Sequence, residues 1–105
     1  MDFVDALGLF EQDCDTQAVV LIGEIGGTDE ERAAEYIEGH IKKPVIAFIA
    51  GKYAPKNKKM GHAGAIISGG KGTFDSKIDA LNGAGVRIAE LPEQIPELVK
   101  EAISL

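Results

Sequence analysis

The sequence predicts an α/β domain: a parallel sheet with helices on both faces. Three observations carry that expectation. Two continuous apolar runs, residues 18–22 and 45–50, have the length and composition of buried strands. Segments with helical spacing of apolar residues alternate with them. Gly23-Glu24-Ile25-Gly26-Gly27 follows the first run and the long 51–73 stretch the second, where parallel sheets place their binding turns. At 105 residues the chain is one domain or a piece of one.

Taken in order, Asp2 caps a first helix that carries Phe3, Leu7 and Phe10 on one face. Residues 18–22 (Ala-Val-Val-Leu-Ile) form a strand expected to be buried on both faces. Gly23-Glu24-Ile25-Gly26-Gly27 follows at once. Thr28 and Glu31 have the spacing of a capping box, and Ala33, Ala34, Ile37 and Ile41 form the stripe of the helix they start. Pro44 ends that helix and opens the strand over 45–50. From Gly51 to Thr73 more than twenty residues show no helical pattern, although a short element fits over 63–67. Thr73 caps a further helix with Phe74, Ile78 and Leu81 inward, and Gly83 and Gly85 stop it. Residues 86–89 form a short strand. After Pro92 and Pro96 a last helix carries Ile95, Leu98, Val99, Ala102 and Ile103 on one face. Right-handed crossovers then bring Glu24 and the 51–73 stretch to one edge of the sheet. A helix feeding a central-looking strand suggests further strands before Met1.

Composition narrows the chemistry. The net charge of −6 disfavours broad nucleic-acid binding. Yet residues 39–73 contain seven lysines and no Asp or Glu. That segregation suits a small anion, although charge alone favours the plainer reading of a solvated lysine face. A single cysteine, Cys14, excludes a disulfide framework and a cysteine-built zinc site, and fits a reducing compartment. No apolar run approaches the ~20 residues of a membrane span. The acidic start, Met1-Asp2-Phe3-Val4-Asp5, is unlike a signal peptide, so any targeting segment would belong to a longer precursor.

The most informative stretch is Lys58-Lys59-Met60-Gly61-His62-Ala63-Gly64-Ala65-Ile66-Ile67-Ser68-Gly69-Gly70-Lys71-Gly72-Thr73. An imidazole between small residues is open to approach and largely neutral near pH 7, hence nucleophilic. Backbone N–H groups of Gly61, Ala63 and Gly64 could cradle a phosphate. The plain alternative is a flexible loop with an incidental histidine. Glu24, directly after a strand and before Gly-Gly, could orient His62 through one ring nitrogen, or could simply cap nearby N–H groups. His40 ends a helix and reads as a capping cation. Cys14 between Asp13 and Asp15 is a poor nucleophile. Ser68 has no elbow pattern, the phosphate-loop spacing is absent, and the two histidines make a poor metal pair.

Gly23-Glu24-Ile25-Gly26-Gly27 and the run from Gly61 to Thr73 together closely resemble the C-terminal part of the succinate–CoA ligase (succinyl-CoA synthetase) α-subunit family. The resemblance runs over essentially the whole chain. It implies a flavodoxin-like three-layer fold lacking its first strand and helix, with residues 1–105 as the C-terminal part of the ligase domain. It implies that His62 is the phosphorylated histidine and Glu24 the carboxylate that orients it. The family's CoA-binding domain and first ligase strand have no counterpart in these residues, so the piece is expected to be inactive alone. Cys14, where the family suggests proline, and Asn57 touch neither motif.

The resemblance also implies the surroundings. CoA and ADP/ATP or GDP/GTP with Mg would be substrates of the whole enzyme, bound mainly outside these residues, with no tightly held cofactor or metal here. The partner would be a β subunit, in a heterodimer or heterotetramer, and succinyl phosphate the intermediate, with neither nucleic acid nor membrane involved. The compartment would be the cytoplasm, or the mitochondrial matrix in a eukaryote. Alternatives are the same module in another nucleotide-forming acyl-CoA synthetase or an ATP-citrate lyase, or a non-catalytic piece serving anion binding or subunit association.

Overall fold

A computed structural model describes residues 1–51 and 72–104. Helix α1 spans Phe3–Gln12. It starts where local chemistry says it should: the Asp2 carboxylate accepts the Asp5 N–H at 2.9 Å, and Asp5 returns the bond to the Asp2 N–H at 3.3 Å. That Asp5 N–H holds the Asp2 carboxyl below its ordinary range. Strand β1 is Val19–Glu24, which extends the expected run so that Glu24 is its last residue.

Helix α2 covers Asp29–His40. The expected capping box at its start does not form. Thr28 makes no side-chain cap bond, and Glu31 turns instead toward the next helix along the chain. His40 does end α2, where its ring stacks on Tyr36 at 4.5 Å and Nδ1 lies 3.3 Å from the Tyr36 carbonyl. Strand β2 is Val45–Ala50. Helix α3 is Phe74–Gly83, capped by the Thr73 hydroxyl, which accepts the Ser76 N–H at 3.1 Å. Gly85 leaves it with φ +84°. Strand β3 is Arg87–Ile88; a short 3-10 turn over Pro92–Gln94 then leads into α4, Ile95–Ile103.

The three described strands are parallel in the order β1-β2-β3, and β1 pairs with β2 from Val19↔Val45 to Glu24↔Ala50. Side chains alternate between faces. Leu21, Val45, Ala47 and Ile49 meet Leu7, Ala33, Ala34, Ile37 and Leu81 on one face, so α1, α2 and α3 share a single core there. Helix α4 packs over β2 on the other.

That second face corrects one expectation. Strand β1 is not buried on both sides: Val20 is 41% and Ile22 55% exposed. The cause is placement, because α4 sits over β2 and leaves the outer part of β1 uncovered among the described residues. Phe10, Val20, Val99 and Ile103 line an open groove of about 450 Å³ there, and the apolar stripe of α4 is correspondingly only part-buried. No helix among the described residues is long and apolar enough to cross a membrane.

Candidate functional site

The C-terminal edge of the sheet is built by the β1–α2 turn, the end of β2 and the start of α3. Parallel pairing brings these together. The Ile25 N–H donates to the Ala50 carbonyl at 3.1 Å, and the Gly26 N–H donates to the Gly72 carbonyl at 2.8 Å. Gly72 has φ +73°, and a Cβ there would lie 2.9 Å from both Gly27 N and Gly27 O. Backbone therefore lies directly on backbone at this point, and only glycine fits. Gly51, at φ +109°, packs in the same close way against Ile25.

Glu24 sits at the tip of β1, half-buried, and among the described residues no group donates to its carboxylate. Its backbone is held more firmly. Val19 and Ile25 point their N–H groups at the β2 side, where Pro44 and Ala50 accept them. N–H groups alternate along a strand, so that of Glu24 points away from β2. There the Glu30 carboxylate accepts it at 3.1 Å.

Glu30 belongs to a cluster that sequence reasoning missed. Lys77, on α3, is fully buried, and Glu30 is 5% exposed. The Lys77 ammonium lies 2.6 Å from Glu30, 2.8 Å from Glu31 and 3.1 Å from the Gly27 carbonyl. Glu31 also accepts the Ser76 hydroxyl at 3.2 Å. Every donor of the ammonium is thus used, which is the condition under which a buried charge is tolerable. The missed signal was spacing. Lys77 shares the stripe of Phe74, Ile78 and Leu81, and Glu30 that of Ala33, Ala34 and Ile37.

His62, Gly61, Ala63 and Gly64 lie outside the described residues. The stretch that contains them leaves β2 at Gly51 and rejoins at Gly72, and both of those glycines touch the Ile25–Gly27 turn. The other clustered group, Asp13, Cys14 and Asp15, is exposed and follows α1, away from this edge. There the Thr16 hydroxyl, followed by the Asp15 N–H, holds the Asp13 carboxyl below its usual range.

The fold is an open parallel α/β sheet, a class in which ligands generally bind outside the carboxyl ends of the strands, and Glu24 stands at that edge. The chain belongs to the CoA-ligase family, whose model matches residues 1–87. It is 57% identical over 102 residues to the succinate–CoA ligase [ADP-forming] subunit alpha 2 of Archaeoglobus fulgidus, covering 97% of this chain and 35% of that protein. It is 55% identical over 101 residues to the corresponding subunit alpha of Staphylococcus aureus, covering 96% and 33%. The chain therefore spans about a third of the length of these relatives. The ATP citrate lyase of Methanosaeta concilii, solved as a D541A mutant with (3S)-citryl-CoA, superposes with a TM-score of 0.87. Its identity is 27%, over 98% of this chain and 17% of that one.

Proposed function

We propose that this chain is the phosphohistidine-carrying part of a succinate–CoA ligase α subunit. The carrying observation is the identity of 57% and 55% to two such subunits over nearly all of these residues. The ATP-citrate lyase reading is favoured by the fold match, but at 27% identity it is the second choice.

In this reading phosphate attacks the succinyl thioester carbonyl, the C–S bond breaks, and CoA leaves as succinyl phosphate forms. A nitrogen of His62 then attacks phosphorus, the P–O bond to the acyl group breaks, and succinate departs as a carboxylate. The terminal oxygen of ADP or GDP, bound with Mg on a β subunit, finally takes the phosphoryl group from nitrogen. Glu24 orients the imidazole and offsets the positive charge that develops on it when nitrogen becomes bonded to phosphorus. Gly61, Ala63 and Gly64 supply N–H groups to the phosphoryl oxygens. CoA is bound mainly by parts of the subunit outside residues 1–105, and the assembly works in the cytoplasm, or in the mitochondrial matrix of a eukaryote.

The test uses the complete α subunit with its β partner and γ-labelled nucleoside triphosphate. Acid-labile label should appear on His62 and vanish in His62→Asn, together with all succinyl-CoA formation. Glu24→Gln should slow labelling by on the order of 10- to 100-fold. Undiminished nucleotide synthesis by His62→Asn would refute the reading. Activity with citrate in place of succinate would select the lyase.

A further inference from the structure

We propose that Glu30, locked in place by Lys77, is a positioning residue for Glu24. The inference rests on the function proposed above, in which the Glu24 carboxylate meets the reacting histidine.

The Glu24 N–H points away from β2 and finds no backbone partner among the described residues; the Glu30 carboxylate takes that place at 3.1 Å. Fixing the Glu24 N–H holds the peptide plane before its Cα, and the bond from the Ile25 N–H to the Ala50 carbonyl at 3.1 Å holds the plane after it; together the two planes set the direction in which the Glu24 Cα–Cβ bond leaves the strand. The contact therefore aims the Glu24 side chain without touching it. Glu30 cannot drift, because its other oxygen is 2.6 Å from an ammonium that is itself fully buried and shared with Glu31 and the Gly27 carbonyl. One of those bonds, to the Gly27 carbonyl at 3.1 Å, ties down the far end of the turn. Both ends of Glu24-Ile25-Gly26-Gly27 thus refer to one nitrogen atom.

Gly23 supports the assignment. A Cβ at position 23 would stand 2.6 Å from Glu30 Oε2 and 2.7 Å from Glu30 Cγ. No positive φ requires glycine here; the missing side chain makes room first for Glu30 and then for Ile49, whose Cδ1 would stand 2.9 Å from that Cβ. A buried ion pair seldom adds net stability over apolar packing. An arrangement that also excludes a neighbouring Cβ is accounted for by the geometry it imposes.

Two variants move the Glu30 carboxylate while leaving Glu24 unchanged. Glu30→Asp keeps the charge and withdraws its reach. Gly23→Ala removes no polar group and displaces by contact the Glu30 carboxylate and, on its apolar side, the end of Ile49. Each is measured in the assembled enzyme for the single-turnover rate of His62 labelling, alone and combined with Glu24→Gln, with urea midpoints to establish folding. The labelling rate should fall on the order of 10- to 100-fold in each single variant with KM for nucleotide unchanged. The same change made on top of Glu24→Gln should cost less than about threefold, because non-additivity marks residues that act through one another. Equal losses with and without Glu24→Gln, or no loss in a folded Gly23→Ala protein, overturn the positioning role alone. Absence of label from the wild-type histidine overturns the proposed function and this inference together.

Discussion

Two lysines fasten opposite ends of the same sheet, and they do it in different ways. At the N-terminal end, Lys43 precedes β2 and is part-exposed. Its ammonium takes the Phe10 carbonyl at 3.0 Å and also that of Asp13, closing the end of α1, while the Glu11 carboxylate accepts the N–H groups of Lys42 and Lys43. At the C-terminal end, Lys77 is wholly buried between two carboxylates and a carbonyl. Water can replace what Lys43 does. It cannot so replace Lys77, because the ammonium and its shortest partner, the Glu30 carboxylate, have both left solvent. The costly fastening is at the edge where the candidate chemistry sits, and the cheap one is at the edge where only helix and strand need joining.

That contrast can be broken by substitution, most forcefully at Lys77. Lys77→Met leaves the Glu30 and Glu31 carboxylates facing each other without a cation and should destabilise the chain by about 3–5 kcal/mol. Urea unfolding followed by circular dichroism measures it, and a loss below about 1 kcal/mol would erase the distinction between the two ends. Lys43→Ala should cost only about 1 kcal/mol in the same experiment, the net worth of ordinary hydrogen bonds. Thr28→Ala is the smallest change. A threonine that caps nothing should alter stability by no more than about 0.5 kcal/mol, against about 1 kcal/mol for Thr73→Ala, whose hydroxyl does cap α3.

The same contrast explains what the sequence reveals. The Asp2 cap, the Thr73 cap and the strand at 45–50 depend on neighbours a few residues away, and all three are found as expected. The Thr28–Glu31 box looks equally local and fails, because Glu31 has a stronger partner 46 residues away in Lys77. Spacing places a lysine on the stripe of α3 and a glutamate on that of α2, yet no periodicity says that these two stripes face each other. The exposure of Val20 and Ile22 was equally out of reach, since it depends on α4 settling over β2 rather than β1. Of the candidate site, Glu24 stands out from its position after a strand, whereas the pair that holds its backbone emerges only in three dimensions.

One contact at that edge has a mechanical meaning. Where Gly72 rests on Gly27, two main chains abut with no cushion of side-chain atoms between them, and a bond from the Gly26 N–H to the Gly72 carbonyl rivets them. Flexible side chains absorb small displacements; a rigid peptide plane passes them on. At Gly72, the entry to α3 is therefore coupled to the turn beyond β1 through main chain alone, with no side chain between them to take up a displacement.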